Sequence, residues 1–178
     1  MSYTPMSDLG QQGLFDITRL LLQQPDLAAL SETLTRLVQQ SALADEAAII
    51  LWNAGNHRAA RYACDEAGHP VSYEDETVLA HGPVRRLLSR PDALHCDHET
   101  FADTWPQLIR SGLYRPFGYY SLLPLAADGR IFGGCEFLRR DNRPWSEKEF
   151  QRLHTFAQIV AVVTEQIQNR VSNNVDYD

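Results

Sequence analysis

The sequence predicts an α+β domain built on a central antiparallel sheet, and three features point to it. Two apolar runs flank an Asp128-Gly129 turn, which is a strong local hairpin signal. The second run leads almost directly into a long amphipathic helix with a clear start signal. Nearer the N-terminus, a periodic helix, an Ala44-Asp45 step and an apolar strand follow one another. At 178 residues and 44% hydrophobic content, the chain suits one globular domain with its own core.

The elements follow in order. A first helix is expected over residues 13–23. Asp26, after Pro25, caps a second one that carries Leu27, Leu30, Leu34, Leu37 and Val38 at helical spacing. Ala47 to Trp52 reads as a strand, a turn holding Asn53, Gly55 and Asn56 comes next, and Arg58 to Cys64 returns as a second strand. Residues 65–118 are the least regular stretch. Within them, residues 76–90 read as two helical pieces broken at Gly82-Pro83, with Pro83 suited to a first helical turn. Residues 93–96 suggest a short strand, and residues 99–109 a helix with Pro106 as a defect.

The hairpin strands are Tyr119 to Leu125, where Pro124 marks an edge or a bulge, and Arg130 to Leu138. Along the second, Ile131, Gly133, Cys135 and Phe137 share one face, and the paired glycines mark a bend or a close approach. Ser146 as N-cap with Glu149 three residues on forms a capping box, and Trp145 and Phe150 supply its hydrophobic staple. Phe150, Leu153, Phe156, Ala157, Val160, Val163 and Ile167 then draw one apolar stripe.

Composition excludes several classes. The net charge of −7 opposes a grip on nucleic acid by this chain, because phosphates require clustered cations. No apolar run approaches a membrane span and no signal peptide opens the chain, so a cytoplasmic location is expected. Cys64, Cys96 and Cys135 are odd in number and widely spaced, which suits reduced thiols rather than a disulfide framework or a zinc site. Lys148 is the only lysine, and no phosphate-loop motif is present.

Leu123-Pro124-Leu125, Gly129, Ile131-Phe132-Gly133, Phe137, Trp145, Phe150, Leu153 and Ala157 together resemble the C-terminal half of a GAF domain, and the N-terminal order of helix, Ala-Asp and strand agrees. The resemblance covers most of residues 13–171. It implies a GAF/PAS-like sheet with the N- and C-terminal helices on one face and a pocket formed by connecting helices and loops on the other. Residues 1–12 are then a flexible N-terminus, and 172–178 the start of a linker to further domains. The opening ten residues, His81-Gly82-Pro83-Val84-Arg85 and Val171 to Tyr177 extend the likeness to bacterial sigma-54-dependent transcriptional activators that respond to formate. That likeness implies a second GAF domain, an AAA+ ATPase and a helix-turn-helix further along, a homo-oligomeric full protein, no enzymatic activity in this chain and no cofactor. Formate, or another small anion, is the candidate effector.

A planar carboxylate with three heavy atoms has a bidentate arginine as its natural partner. Arg85, Arg86, Arg110 and Arg115 lie in or beside the connecting region, with His81 and Tyr119 as further donors. Arg85, His81, Arg115 and Tyr119 are the expected effector-binding set. Arg85 leads it because it falls one turn into a helix after Pro83, where free amides favour an anion. Against this stands the ordinary fate of arginine, which is solvation or pairing at the surface.

Two other classes compete. The apolar positions of the terminal helices suit a ligand-free dimerisation and relay module, unless they only cover their own sheet. His95-Cys96-Asp97-His98 concentrates metal-ligand types, but neighbours on a strand point to opposite faces and no second ligand pair completes a site. A thiol enzyme needs an activated cysteine, and nothing beside Cys135 supplies a base or a positive charge.

Overall fold

A computed structural model of the chain describes residues 11–53 and 57–175. Its elements are α1 (Gln11–Leu22), α2 (Leu27–Gln40), β1 (Glu46–Asn53), β2 (Arg58–Cys64), β3 (Pro70–Glu76), α3 (Thr77–Ala80), α4 (Pro83–Ser89), β4 (Leu94–Asp97), α5 (His98–Thr104), α6 (Pro106–Arg110), β5 (Tyr119–Ala127), β6 (Arg130–Arg139) and α7 (Glu147–Val175). The six strands form one antiparallel sheet in the order β3-β2-β1-β6-β5-β4. The expected N-terminal tail (residues 1–12) and most of the turn after β1 lie outside the described residues. The expected linker begins at 172, yet α7 runs through Val175.

Strand alternation divides the interior into two cores. Ala47, Ile49, Leu123, Leu125, Cys135 and Phe137 face α2 and α7, which bring Leu30, Leu34, Val38, Leu153, Phe156 and Val160. Ile50, Tyr120, Leu122 and Leu138 face the other way, under Val84 and Leu87 of α4, Phe101 of α5 and Leu108 of α6. Terminal helices therefore cover one face and the short connecting helices the other.

Local chemistry explains most boundaries. The Asp26 carboxylate accepts from Ala29 N at 2.8 Å and starts α2. Asp128 and Gly129 hold φ of 52° and 74°, the left-handed pair that a two-residue hairpin turn needs. Ser146 Oγ accepts from Glu149 N at 3.2 Å while the Glu149 carboxylate accepts from Ser146 N at 3.0 Å, completing the capping box. Pro124 lies beyond the last β4 partner, Leu122, on a stretch of β5 whose only neighbour is β6.

Two expectations for residues 65–118 change. The stretch is more regular than its sequence suggests, because β3 pairs along β2 at the sheet edge. Pro70-Val71-Ser72-Tyr73-Glu74-Asp75-Glu76 has weak intrinsic strand preference, and pairing with β2 decides its conformation. The single helix expected over 99–109 is two, α5 and α6. Trp105, held by Pro106 to φ −128° and ψ 62°, cannot continue α5.

The adjacent glycines of β6 answer to different constraints. A Cβ on Gly133 would collide with the Ile50 carbonyl of β1, which is backbone and cannot yield. A Cβ on Gly134 would meet Leu122 Cδ1 at 2.5 Å and Leu87 Cδ1 at 3.1 Å, both the ends of movable side chains. Gly133→Ala is therefore expected to cost about 3 kcal/mol and Gly134→Ala about 1 kcal/mol. Urea midpoints of the two variants measure the difference, and equal losses would contradict this account.

Candidate functional site

The second face of the sheet contains a buried polar cluster. Glu136, fully buried at the middle of β6, sits between Gly134 and Leu138 and points at the connecting helices. Its carboxylate accepts from Arg61 Nε at 2.7 Å, from Tyr114 Oη at 2.5 Å, and through a short bond from Tyr120 Oη. Arg61, on β2, donates from Nη1 to the Leu113 carbonyl at 3.2 Å and lies 4.3 Å above the Tyr114 ring. An isolated carboxylate here would be very costly, and the guanidinium with two phenols offsets that cost. Burial lowers the pKa of Arg61, but the Glu136 charge outweighs it and holds the guanidinium above its ordinary value. Burial and then Glu136 push both phenols well above theirs, which keeps Tyr114 and Tyr120 as donors. Phe101, Phe117 and Tyr120 close the aromatic wall around this cluster.

Beside it, at the start of β1 and the end of β2, lies a pocket of about 410 Å³. Thr35, Glu46, Arg61, Cys64, Tyr73 and Arg115 line it. Arg115 forms an ion pair with Glu46, and its side chain keeps 26% of its exposure against 12% for Glu46. Among the described residues its other hydrogen bond is a long one, 3.4 Å, from Nη2 to the Cys64 carbonyl. Burial raises the Glu46 pKa even against the opposing pull of Arg115 and then Arg61. Arg115 rides on the segment between α6 and β5. Gly118 anchors the far end of that segment, donating to the Arg139 carbonyl at 2.7 Å and accepting from His98 N at 3.0 Å.

The residues expected from the sequence do not gather at one place. Arg115 lines the pocket. Arg85 and His81 meet each other on the exposed side of α4, Nη1 to Nδ1 at 2.9 Å, because Pro83, Val84 and Leu87 take the buried side. Tyr119 alternates with Tyr120, so it lies on the opposite face of the sheet, its ring 5.8 Å from that of Trp145. Arg86 reaches the Asp92 carbonyl at 3.4 Å, and Arg110 is exposed. Sequence reasoning missed Arg61, Glu136 and Glu46. The available signal was one charge of each sign at inward strand positions, Arg61 in step with Ala59 and Ala63, and Glu136 in step with Gly134 and Leu138.

The His95 to His98 group diverges. His95 turns toward α7, Cys96 enters the second core, Asp97 caps α5 through Thr100 N at 2.8 Å, and His98 lies edge-on to Phe117. Among the described residues no group of three or more His, Cys, Asp or Glu is placed to hold a metal. Burial raises the pKa of each thiol, that of Cys96 to about 11, and so works against a thiolate nucleophile.

His95 joins β4 to β5 and α7. Its Nδ1 lies 3.0 Å from Ser121 Oγ and its ring meets Phe150 at 4.0 Å, and Phe150 in turn lies 4.8 Å from the His154 ring. Burial, then repulsion from His154 and Arg86, lowers its pKa to about 4.

Truncating the buried cluster tests its weight: Glu136→Ala leaves Arg61 buried without its counter-charge and is expected to cost about 3–5 kcal/mol in chemical denaturation. A group kept neutral in the fold but protonated when unfolded contributes stability above its unfolded pKa, near 6.5, and loses it as pH falls toward about 4. His95→Gln is therefore expected to flatten the stability profile across that window. Parallel profiles for the variant and the parent would show that His95 does not titrate this way.

A profile of the GAF domain matches residues 26–163. Over all 178 residues the chain is 75% identical to the formate hydrogenlyase transcriptional activator of Salmonella typhimurium strain LT2 and 71% identical to that of Escherichia coli K12. It spans 26% of the length of each of these relatives. Among solved structures it is similar to the GAF domain of a phosphoenolpyruvate-protein phosphotransferase from Coxiella burnetii, with a TM-score of 0.68 at 12% identity over 89% of this chain and 94% of that one. No helix among the described residues is long and apolar enough to cross a membrane.

Proposed function

The chain belongs to the GAF domain family, and we propose that it is the sensory domain of a formate hydrogenlyase transcriptional activator of the sigma-54-dependent type. In this reading it binds formate or a similar small anion and controls an AAA+ ATPase elsewhere in the same cytoplasmic, homo-oligomeric protein. The observation that carries the reading is 71–75% identity along the entire chain to activators of that name. Catalysis and DNA contact then belong to other domains, in keeping with the raised thiol pKa values and the net charge of −7 here.

The chemistry sets the scale of binding. At a ceiling of about −1.5 kcal/mol per heavy atom, a three-atom ligand gains roughly −4.5 kcal/mol, a dissociation constant near the millimolar range. Of the expected residues, Arg115 lines the pocket at the start of β1, and Arg85 on α4 is a second, exposed arginine, in contact with His81. A connection from the pocket to α7 runs through strand pairing and side-chain bonds. Glu46 pairs with Leu138, Asp45 binds the Arg140 amide at 2.8 Å, and the Leu43 carbonyl accepts from both Arg139 Nε at 3.2 Å and Trp145 Nε1 at 2.6 Å. Arg139 also pairs with Glu149 at 2.5 Å, in the first turn of α7. Movement at the start of β1 therefore reaches the capping box of the long helix within a few bonded steps.

A second reading, dimerisation and relay, is favoured by one observation. Leu14, Phe15 and Leu22 on α1, and Val162 and Val171 on α7, remain exposed after α7 has covered the sheet and α1 has packed against α7 and α2. The two readings are compatible in one protein.

A two-dimensional NMR titration with formate into the tens of millimolar, against acetate and chloride at matched ionic strength and pH, tests the sensory role. Saturable, formate-selective shifts around Glu46, Arg115 and α7 are expected. Absent or uniform shifts would move formate sensing out of this domain. Light scattering on the same sample reports whether the chain is a dimer.

A further inference from the structure

We propose that the pocket at the start of β1 is a carboxylate-exchange site, in which a small carboxylate anion replaces the Glu46 side chain on the Arg115 guanidinium. This rests on the sensory reading above and specifies how its ligand is held.

Charge is the first argument. The pocket walls carry Arg61 and Arg115, but Arg61 is already committed to Glu136, and Glu46, Asp65 and Glu66 also border the space. An anion simply added there would meet an excess of negative charge. An anion that takes the place of the Glu46 carboxylate leaves the charge on Arg115 matched, and the pocket gains no net charge when the displaced Glu46 carboxylate takes up a proton, the direction in which its burial already drives it. Asp65 and Glu66 are exposed, so solvent and salt weaken their repulsion.

Geometry is the second. The resident partner of Arg115 is itself a carboxylate, so an incoming carboxylate can reproduce the contacts already made. Among the described residues Arg115 makes no other short hydrogen bond, and its contact to the Cys64 carbonyl is long, 3.4 Å. It keeps partial exposure on the pocket side, whereas Arg61 is almost wholly buried. The space of about 410 Å³ far exceeds one carboxylate group, so the headgroup is selected by the arginine and not by tight enclosure.

Energy is the third. Burial of Glu46 is unfavourable for its charged form and its pairing with Arg115 only partly offsets that. The desolvation of both groups therefore cancels much of the attraction between them, and a small carboxylate supplied at tens of millimolar competes for Arg115. Once freed, Glu46 no longer ties β1 to the segment between α6 and β5. That segment also carries Tyr114, a donor to Glu136, and the Leu113 carbonyl that Arg61 binds. The exchange is felt on both sides of the pocket: by the buried cluster and by the β1 to α7 connection.

Glu46→Gln removes the competing charge and is expected to bind formate and acetate roughly fivefold tighter than the parent, by NMR titration of the 178-residue chain with the sodium salts against sodium chloride. Arg115→Ala is expected to abolish the saturable shifts, and Arg115→Lys to weaken them while preserving the fold. Unchanged affinity in Glu46→Gln would overturn the exchange, as would saturable binding in a folded Arg115→Ala chain. If formate shifts saturate in the parent and survive Arg115→Ala, the exchange falls while the sensory reading stands at another position. If neither the parent nor Glu46→Gln shows saturable shifts, both fall.

Discussion

A carboxylate buried at the centre of a sheet constrains everything that packs on it. Glu136 occupies an inward position of β6, and leaving it without partners would cost more than most single contacts can return. Three elements distant in sequence supply those partners: Arg61 from β2, Tyr114 from the segment after α6, and Tyr120 from β5. These donors hold that segment against the sheet, and the aromatic rings of Phe101 and Phe117 fill the space they leave. The second face is consequently a packed, polar-centred core, and the open volume lies to its side.

This placement separates the roles of two arginines that look alike in sequence. Arg61 has a buried charge partner, a backbone acceptor and an aromatic face, and so acts as structure. Arg115 is paired with Glu46 and keeps partial exposure, and in the proposed exchange it is the arginine that meets the ligand. The same distinction applies to Glu136, fixed by three donors, and Glu46, held against its own desolvation by a nearby cation. The proposed recognition relies on one charged contact, in keeping with the weak affinity that a three-atom anion permits.

The opposite face has a different physical character. It is mainly apolar, with α2 and α7 sealing it. Its buried polar groups there are small hydroxyls such as Thr35, which donates to the Ala47 carbonyl, and Ser121 beside His95, while its charged contacts are concentrated where the chain leaves β6. Arg139, almost wholly buried, gathers the Leu43, Arg143 and Pro144 carbonyls and the Glu149 carboxylate around one guanidinium. The entry to α7 is therefore rigidly tied to the strand that neighbours the pocket. α7 then runs on to Val175, with Val162 and Val171 exposed along it.

Local signals made much of this legible in advance. The Asp26 cap, the Asp128-Gly129 turn, the Gly82-Pro83 break and the Ser146–Glu149 box each act over a few residues, so their outcomes follow from sequence neighbours alone. The apolar periodicity of α2 and α7 likewise determined which faces they would bury, and the family pattern determined the two-sided sheet. Strand β3, the split of α5 from α6 and the composition of the site were less legible. Weak strand formers become a strand only when β2 offers its edge. The site depends on which inward charges meet across the sheet, and Arg61 and Glu136 are 75 residues apart. Arg85 lies on α4, whose apolar side turned it outward toward His81 in the preceding turn, and Tyr119 is one residue out of phase with the second face. Capping, turns and periodicity are short-range and belonged to the sequence. The pairing of Arg115 with Glu46 and of Arg61 with Glu136 required the assembled sheet, because only tertiary packing fixes which charges share a low-dielectric space.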